Sequence, residues 1–82
     1  MKYQIVIDKP AMKFLQKQPH EQRERLLKAI YRLPELGDIK PMSGHENLFR
    51  LRVGTYRVIY TIENRILTVW VLNIGNRGDV YK

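Results

Sequence analysis

The sequence contains no cysteine, which excludes disulfide bonds, thiol nucleophiles and thiolate metal ligands together. Its two histidines, His20 and His45, are too few for an ordinary zinc site, and the sequence offers no carboxylate cluster to hold magnesium. No apolar run approaches the length of a membrane span, and the opening residues, MKYQIVIDKP, do not have the pattern of a signal peptide. We therefore expect a cytoplasmic protein that needs neither a metal nor an organic cofactor.

Acidic residues are also few. Fifteen lysines and arginines stand against eight aspartates and glutamates, which gives a net charge of +7. Such an excess favours a polyanionic partner: nucleic acid, an anionic membrane surface or an acidic protein. It is equally compatible with a role in solubility alone. The length of 82 residues and the hydrophobic content of 44% indicate one folded domain spanning residues 1–82.

The first half of the chain has a helical pattern. Alternating apolar side chains predict a short strand over Lys2–Ile7. The first helix follows Asp8, a residue suited to capping, tolerates Pro10 in its first turn and ends at Pro19. The second helix runs from there towards the breaker Pro34. Its apolar stripe consists of Leu26, Leu27, Ile30, Tyr31 and Leu33.

The second half has a stranded pattern. The stretch Gly37–Asn47 is predicted to be a loop. The strand-like runs after it are Leu48–Val53, Tyr56–Ile62 and Ile66–Asn73. Gly54 suits the first central position of a type II′ hairpin turn, and Asn64 suits the next turn. The predicted fold is α+β with the element order βααβββ, in which a helical hairpin packs on a twisted, mainly antiparallel sheet.

Two-residue turns at Gly54-Thr55 and Asn64-Arg65 determine which strand residues face each other. The pairs predicted for the first hairpin are Val53 with Tyr56, Leu51 with Val58 and Phe49 with Tyr60; those for the second are Tyr60 with Val69 and Val58 with Val71. One face of the sheet is then wholly apolar or aromatic and must pack against the helices. It comprises Phe49, Leu51, Val53, Tyr56, Val58, Tyr60, Ile62, Leu67, Val69 and Val71.

The opposite face of the first hairpin carries three arginines. Arg52 is predicted to face Arg57, and Arg50 to face Ile59. Like charges placed opposite each other lower the stability of a sheet by about a few tenths of a kcal/mol. Guanidinium groups do suit phosphate oxygens. An exposed strand explains any one of these arginines, but the cluster favours phosphate binding. Trp70, on the same face, is either a stacking platform for bases or a side chain covered by a loop or partner.

The stretch LFRLRVGTYRVIYTI followed by LTVWVLNIGNRGDVY resembles the core signature of the RelE/ParE superfamily of bacterial toxins. That signature is a basic hairpin with a Gly turn, then Tyr-Arg-hydrophobic-hydrophobic-Tyr, then a strand ending in Gly, a polar residue and Arg, with a Tyr shortly after. The resemblance covers nearly the whole chain. It implies the βααβββ fold, a cognate antitoxin as partner, and binding of operator DNA by the toxin–antitoxin complex. In the RelE branch it also implies an endoribonuclease that needs no metal and cuts mRNA in the ribosomal A site.

The resemblance also implies roles for individual residues. Arg50 and Arg57 would stabilise charge developing on the phosphate. Arg52 takes the position of the general base, and Arg77 that of the proton donor to the leaving oxygen. Tyr81 would stack on or orient the nucleotide. The expected RNA contacts are Arg50, Arg52, Arg57 and Trp70.

In one respect the sequence departs from the best-described RelE pattern: two positions that are lysine there are arginine here. Arginine effectively never loses its proton, so Arg52 is a poor general base. His45 and Glu46, just before the first hairpin strand, are the alternative proton acceptors, and histidine is the side chain that ordinarily titrates near neutral pH. The plainer explanation for both is that they are solvated loop residues. In that case the reaction depends on electrostatic stabilisation and on ribosomal groups.

Three functions are compatible with the sequence. The first is a ribosome-dependent mRNA endonuclease, which Arg77 and Tyr81 support together with the arginine face. The second is a ParE-like poison of DNA gyrase, a branch that shares the fold but generally lacks this full set of residues. The third is a non-catalytic partner in an antitoxin–DNA complex. Substitution of Arg50, Arg52 and Arg77 should abolish toxicity if the protein is an mRNA endonuclease and need not do so if it poisons gyrase. A non-catalytic partner should not be toxic at all.

Overall fold

The computed structural model describes residues 3–44 and 47–76. Its elements are β1 (Gln4–Ile7), α1 (Lys9–Lys17), α2 (His20–Ile30), β2 (Asp38–Pro41), β3 (Phe49–Val53), β4 (Tyr56–Glu63), a 3-10 helix (Asn64–Ile66) and β5 (Thr68–Asn76). The five strands form one sheet in the order β1-β5-β4-β3-β2. β1 lies parallel to β5, and the other neighbours are antiparallel. The predicted class is confirmed: two helices pack on a mostly antiparallel open sheet.

The two helices begin at prolines or next to them. Asp8 is the N-cap residue of α1, as predicted, but its side chain makes no capping hydrogen bond, and Pro10 lies in the first turn. α2 has Pro19 at its N-cap. It ends at Ile30, before the predicted boundary at Pro34, and the residues between them form turns. The helices bury Ala11, Leu15, Leu26 and Ile30. No helix within residues 3–44 and 47–76 is long and apolar enough to cross a membrane.

The core lies between the helices and one face of the sheet. The most deeply buried strand residues are Leu51, Val58, Tyr60, Val69 and Val71, all from the predicted apolar face. Phe49 stacks on Tyr60 with ring centroids 5.5 Å apart. Leu67 is the exception to the prediction, because it precedes β5 in a left-handed conformation with φ +47°. Ile74 was not predicted to lie in the core, but it is buried there, with 3% of its surface exposed.

The prediction that Gly37–Asn47 is a loop is wrong, because β2 forms within it. β2 pairs with β3 so that Asp38 faces Arg52 and Lys40 faces Arg50. The strand lies at the edge of the sheet, where its final proline is tolerated. It is only four residues long, too short for a clear alternation of apolar and polar side chains.

The predicted pairing of β4 with β5 is also wrong. A 3-10 helix and the left-handed Leu67 replace the two-residue turn at Asn64, so β5 begins later than expected, at Thr68. Tyr60 therefore pairs with Val71 rather than with Val69. At Tyr60 the shift is two residues, which leaves Val69 and Val71 on their predicted face, because strand side chains alternate with a period of two.

A β-bulge interrupts the same ladder. The partner of β4 changes from Asn73 at Ile59 to Val71 at Tyr60, so Leu72 has no partner in the register. As a result Val58 pairs with Ile74 rather than with Val71. The extra residue moves the alternation by one position for the end of β5, which finishes at Asn76, so that Ile74 rather than Asn73 faces the core.

Candidate functional site

The three arginines of the β3–β4 hairpin share one face of the sheet. Arg52 pairs with Arg57 and Arg50 with Ile59, the register predicted from the turn at Gly54. Gly54 has a φ of +59°, the sign that a type II′ turn requires at its first central position. Residues directly opposite each other point to the same side. The arginines therefore lie on the face that does not pack against the helices.

The arginines differ in exposure. The side chain of Arg50 is 12% exposed and that of Arg52 is 45% exposed, whereas Arg57 is half-buried. The Nε atom of Arg50 is buried and has no hydrogen-bond partner among the described residues. A buried donor without a partner lowers stability. The cluster is thus a recessed cationic surface rather than a set of fully solvated side chains.

A carboxylate lies beside two of the arginines. Asp38 Oδ1 is 3.9 Å from Arg50 Nη2, and Asp38 Oδ2 is 3.9 Å from Arg52 Nε. The Asp38 side chain is 59% exposed. It forms an ion pair with each of these two arginines. Asp38 was not among the predicted site residues because it fell in the predicted loop, although the apolar Ile39 between the charged Asp38 and Lys40 was a weak signal of a strand.

The other side of the cluster is formed by the end of β5. Gly75 pairs with Arg57, and Asn73 pairs with Ile59. Because Gly75 has no side chain, β5 places no side chain directly beside Arg57 on this face. The last described residue, Asn76, pairs with Tyr56, so β5 ends next to the arginine pair.

Trp70 lies on the arginine face but not beside the arginines. It pairs with Thr61 of β4 and with Val6 of β1 and is half-buried. Thr61 is four residues along β4 from Arg57. The structure thus brings together Arg50, Arg52 and Arg57 and places Trp70 towards the β1 edge. The other predicted site residues, His45, Glu46, Arg77 and Tyr81, lie outside the described residues.

Two further features bear on the chemistry of the site. Within the described part of the chain, no group of three or more His, Asp or Glu side chains is arranged to hold a metal ion. On the core face, behind the arginines, burial raises the pKa of the Tyr60 hydroxyl from 10.0 to about 12. Tyr60 thus stays neutral under the hairpin, and the charge of the face comes from its arginines and Lys40.

The fold and this surface together define a small basic α+β domain with a cationic open sheet. The sequence profile described as "ParE toxin of type II toxin-antitoxin system, parDE" matches residues 5–81. The chain therefore belongs to the ParE toxin family of the RelE/ParE superfamily and is the toxin of a type II toxin–antitoxin system. No curated protein sequence is significantly similar to it.

Several solved structures share the fold. The archaeal RelE–RelB complex from Pyrococcus horikoshii OT3 is similar with 31% identity and a TM-score of 0.77, over 96% of this chain and 99% of that one. The RelBE2 toxin–antitoxin complex from Mycobacterium tuberculosis is similar with 26% identity and a TM-score of 0.79, over 94% and 100%. The isolated RelE toxin of E. coli, at 23% identity and a TM-score of 0.76 over 96% and 90%, shows the fold alone.

Proposed function

We propose that this toxin is an endoribonuclease of the RelE type, which inhibits translation by cutting mRNA in the ribosomal A site. The observation that carries the proposal is the pairing of Arg52 with Arg57, with Arg50 beside them, on the open face of the sheet. An arrangement of like charges that the fold does not need is explained by a polyanionic ligand. RNA phosphate is such a ligand, and the similarity to RelE toxins supports this choice.

In the proposed reaction, the 2′-hydroxyl of a nucleotide attacks the adjacent phosphate. The phosphate passes through a state with increased negative charge, and the products are a cyclic phosphate and a free 5′-hydroxyl. Arg50 and Arg57 stabilise that charge, because guanidinium donors held by a sheet are already oriented before the charge develops. Recessed arginines interact with it more strongly than solvated ones, since water screens them less.

Two residues that follow β5 in the sequence complete the proposed site. Arg77 comes directly after Asn76, the residue at which β5 ends beside the arginine pair. In the proposal Arg77 stabilises the leaving 5′-oxygen and assists its protonation, and Tyr81 stacks on the nucleotide. The ribosome holds the mRNA in a bent shape, so the toxin does not need to orient the RNA alone.

The proposed protein partner is an antitoxin. The similar toxins from Pyrococcus horikoshii and Mycobacterium tuberculosis were solved as complexes with their antitoxins. A short chain with an acidic or amphipathic segment would fold along the cationic face and cover it. The resulting complex would bind operator DNA. By mass action, the antitoxin would also raise the stability of so small a domain.

A second candidate function is poisoning of DNA gyrase. The matching family profile bears the ParE description, and this observation favours gyrase. Under that function the arginine face would not take part in phosphate chemistry. A non-toxic protein that acts only within an antitoxin–DNA complex is the remaining alternative.

The test compares purified toxin on programmed ribosomes, on naked mRNA and with gyrase. We expect cuts within the A-site codon that require the ribosome and that disappear in Arg57→Ala. The matched control is Arg65→Ala, because Arg65 is 92% exposed and pairs with Glu63 away from the cluster. Intact mRNA under all conditions would overturn the proposal. Gyrase-dependent DNA breaks would then support the gyrase-poison function. Inactivity in both assays would support the non-toxic role within an antitoxin–DNA complex.

A further inference from the structure

The proposed reaction needs a group that accepts the proton of the 2′-hydroxyl, and the arginine cluster does not contain one. Arginine effectively never gives up its proton, so Arg50, Arg52 and Arg57 supply positive charge but no base. A useful base lies within hydrogen-bond reach of the nucleophile and is unprotonated near neutral pH. On the described part of the arginine face, the group that fits is the carboxylate of Asp38.

We propose that Asp38 is the proton acceptor for the 2′-hydroxyl, an inference that rests on the function proposed above. The carboxylate lies 3.9 Å from Arg50, one of the two arginines that would bind the scissile phosphate, and 3.9 Å from Arg52, which takes the position of the general base in the family pattern. The 2′-hydroxyl that attacks a phosphate lies on the adjacent sugar. A group that contacts Arg50 is therefore placed next to the nucleophile when Arg50 binds that phosphate.

The geometry of β2 supports this role. Asp38 faces Arg52 at one end of the β2–β3 ladder, and the loop joining the two strands begins beyond the Pro41–Phe49 pair at the other end. The Arg52–Arg57 pair and the end of β5 lie at the Asp38 end. Because Asp38 is on the edge strand and 59% exposed, RNA can approach it without displacing any other element within residues 3–44 and 47–76.

The ion pairs of Asp38 do not saturate its oxygens. Distances of 3.9 Å to Arg50 and Arg52 are longer than a hydrogen bond, so each oxygen can accept one from RNA. The charged groups that face Asp38 are these two arginines from β3 and Lys40 on its own strand. All three are cationic. The two guanidinium groups hold the carboxylate in place until phosphate oxygens compete for them.

The step balances without a further reactant besides water. The 2′ O–H bond breaks and its proton passes to an Asp38 oxygen, while the 2′ oxygen forms a bond to phosphorus. The bond between phosphorus and the 5′ oxygen breaks. A water molecule protonates that oxygen, and the hydroxide left behind takes the proton from the neutral Asp38. The enzyme returns to its starting state, and RNA is left as a cyclic phosphate and a 5′-hydroxyl.

The test measures single-turnover cleavage at saturating toxin on programmed ribosomes, between about pH 6 and 9, where carboxylates are ionised. The variants are Asp38→Asn, Asp38→Glu and the control Glu63→Gln, which removes a carboxylate paired with Arg65. We expect a nearly flat profile for wild type and Glu63→Gln. Asp38→Asn should be about 100-fold slower at neutral pH and should rise with pH, because hydroxide replaces the missing base. Asp38→Glu should recover part of the rate.

Ribosome binding and thermal unfolding of each variant separate the chemistry from affinity and folding. We expect Asp38→Asn to bind at least as tightly as wild type, since it removes negative charge from a phosphate-binding face. The proposal is overturned if Asp38→Asn cuts as fast as wild type at saturation. A slow variant with a flat pH profile also overturns it, because Asp38 would then only position the arginines. If wild type itself does not cut, the endonuclease function fails, and this inference fails with it.

Discussion

Arg52 and Arg57 lie directly opposite each other on neighbouring strands of the sheet. Cross-strand pairs of like charge are unfavourable, although the Asp38 carboxylate contacts Arg52 at 3.9 Å. The hairpin thus carries an arrangement that lowers its own stability. We attribute it to the ligand, because a bound phosphate would reduce the repulsion between the two guanidinium groups.

The first prediction concerns Arg52→Gln. We expect it to raise the free energy of unfolding by about 0.2–1 kcal/mol, the size of a cross-strand charge interaction, and to lower mRNA cleavage. Urea unfolding and the ribosome assay measure the two effects. Arg65→Gln, which alters an arginine 92% exposed, is the control and should change neither property appreciably. A less stable Arg52→Gln variant would contradict the prediction.

The arginine site was predictable from the sequence because it depends on local geometry. A two-residue turn at Gly54 determines the β3–β4 register, and that register alone places Arg50, Arg52 and Arg57 on one face. Asp38 was not predictable in the same way. Its position depends on pairing between β2 and β3 across a loop, and β2 is a four-residue edge strand with no periodicity of its own.

The fold shows the same division between local and distant interactions. The helices and the apolar face of the sheet follow from residue periodicity, and both were predicted. The β4–β5 register was not, because it depends on the 3-10 helix at Asn64–Ile66 and on a bulge that leaves Leu72 unpaired. Neither feature has a distinct composition. The error left Val69 and Val71 on their predicted face because the register shift at Tyr60 is an even number of residues. Beyond the bulge the shift is odd, and Ile74 faces the core.

The second prediction concerns Gly37, which precedes β2. Its φ is +134°, and a Cβ atom there would lie 2.6 Å from Cδ1 of Leu51, a core residue 1% exposed. Gly37→Ala therefore combines backbone strain with overpacking, and we expect a loss of about 2–4 kcal/mol. Thermal or urea unfolding measures it.

Gly44→Ala is the control for Gly37→Ala. Gly44 also has a positive φ, +78°, but no described atom lies within 4 Å of a Cβ built there. This variant should show the strain alone, about 1–2 kcal/mol. Equal losses in the two variants would mean that Leu51 relaxes and that contact with it does not limit position 37.

The third prediction concerns Trp70, the single tryptophan of the chain. Trp70 is half-buried on the arginine face, two strands away from β3. If a base stacks on it, Trp70→Ala should weaken binding of single-stranded RNA by about 1–3 kcal/mol. Trp70→Phe should keep most of the affinity, and RNA should change the tryptophan emission of wild type. An unchanged emission and an unchanged affinity would show that Trp70 packs only within the protein or against the antitoxin.

The fourth prediction concerns stability at alkaline pH. Burial raises the pKa of Tyr60 from 10.0 to about 12. The unfolded chain therefore loses the phenolic proton at lower pH than the folded protein does. The stability that the neutral, buried phenol contributes is fully present below pH 10 and is lost as the pH rises through about 12. A difference of this size corresponds to about 2–3 kcal/mol at most.

Tyr60→Phe tests this prediction because it keeps the ring that stacks on Phe49 and removes the group that ionises. Urea unfolding between pH 9 and pH 12 should show a smaller loss of stability in Tyr60→Phe than in wild type. Tyr31→Phe, at a position 63% exposed, should retain the wild-type slope, because a solvated phenol ionises similarly in both states. Lysine titration affects all three proteins alike and cancels in the comparison. Equal slopes for wild type and Tyr60→Phe would show that the Tyr60 hydroxyl ionises in the folded protein as readily as in the unfolded chain.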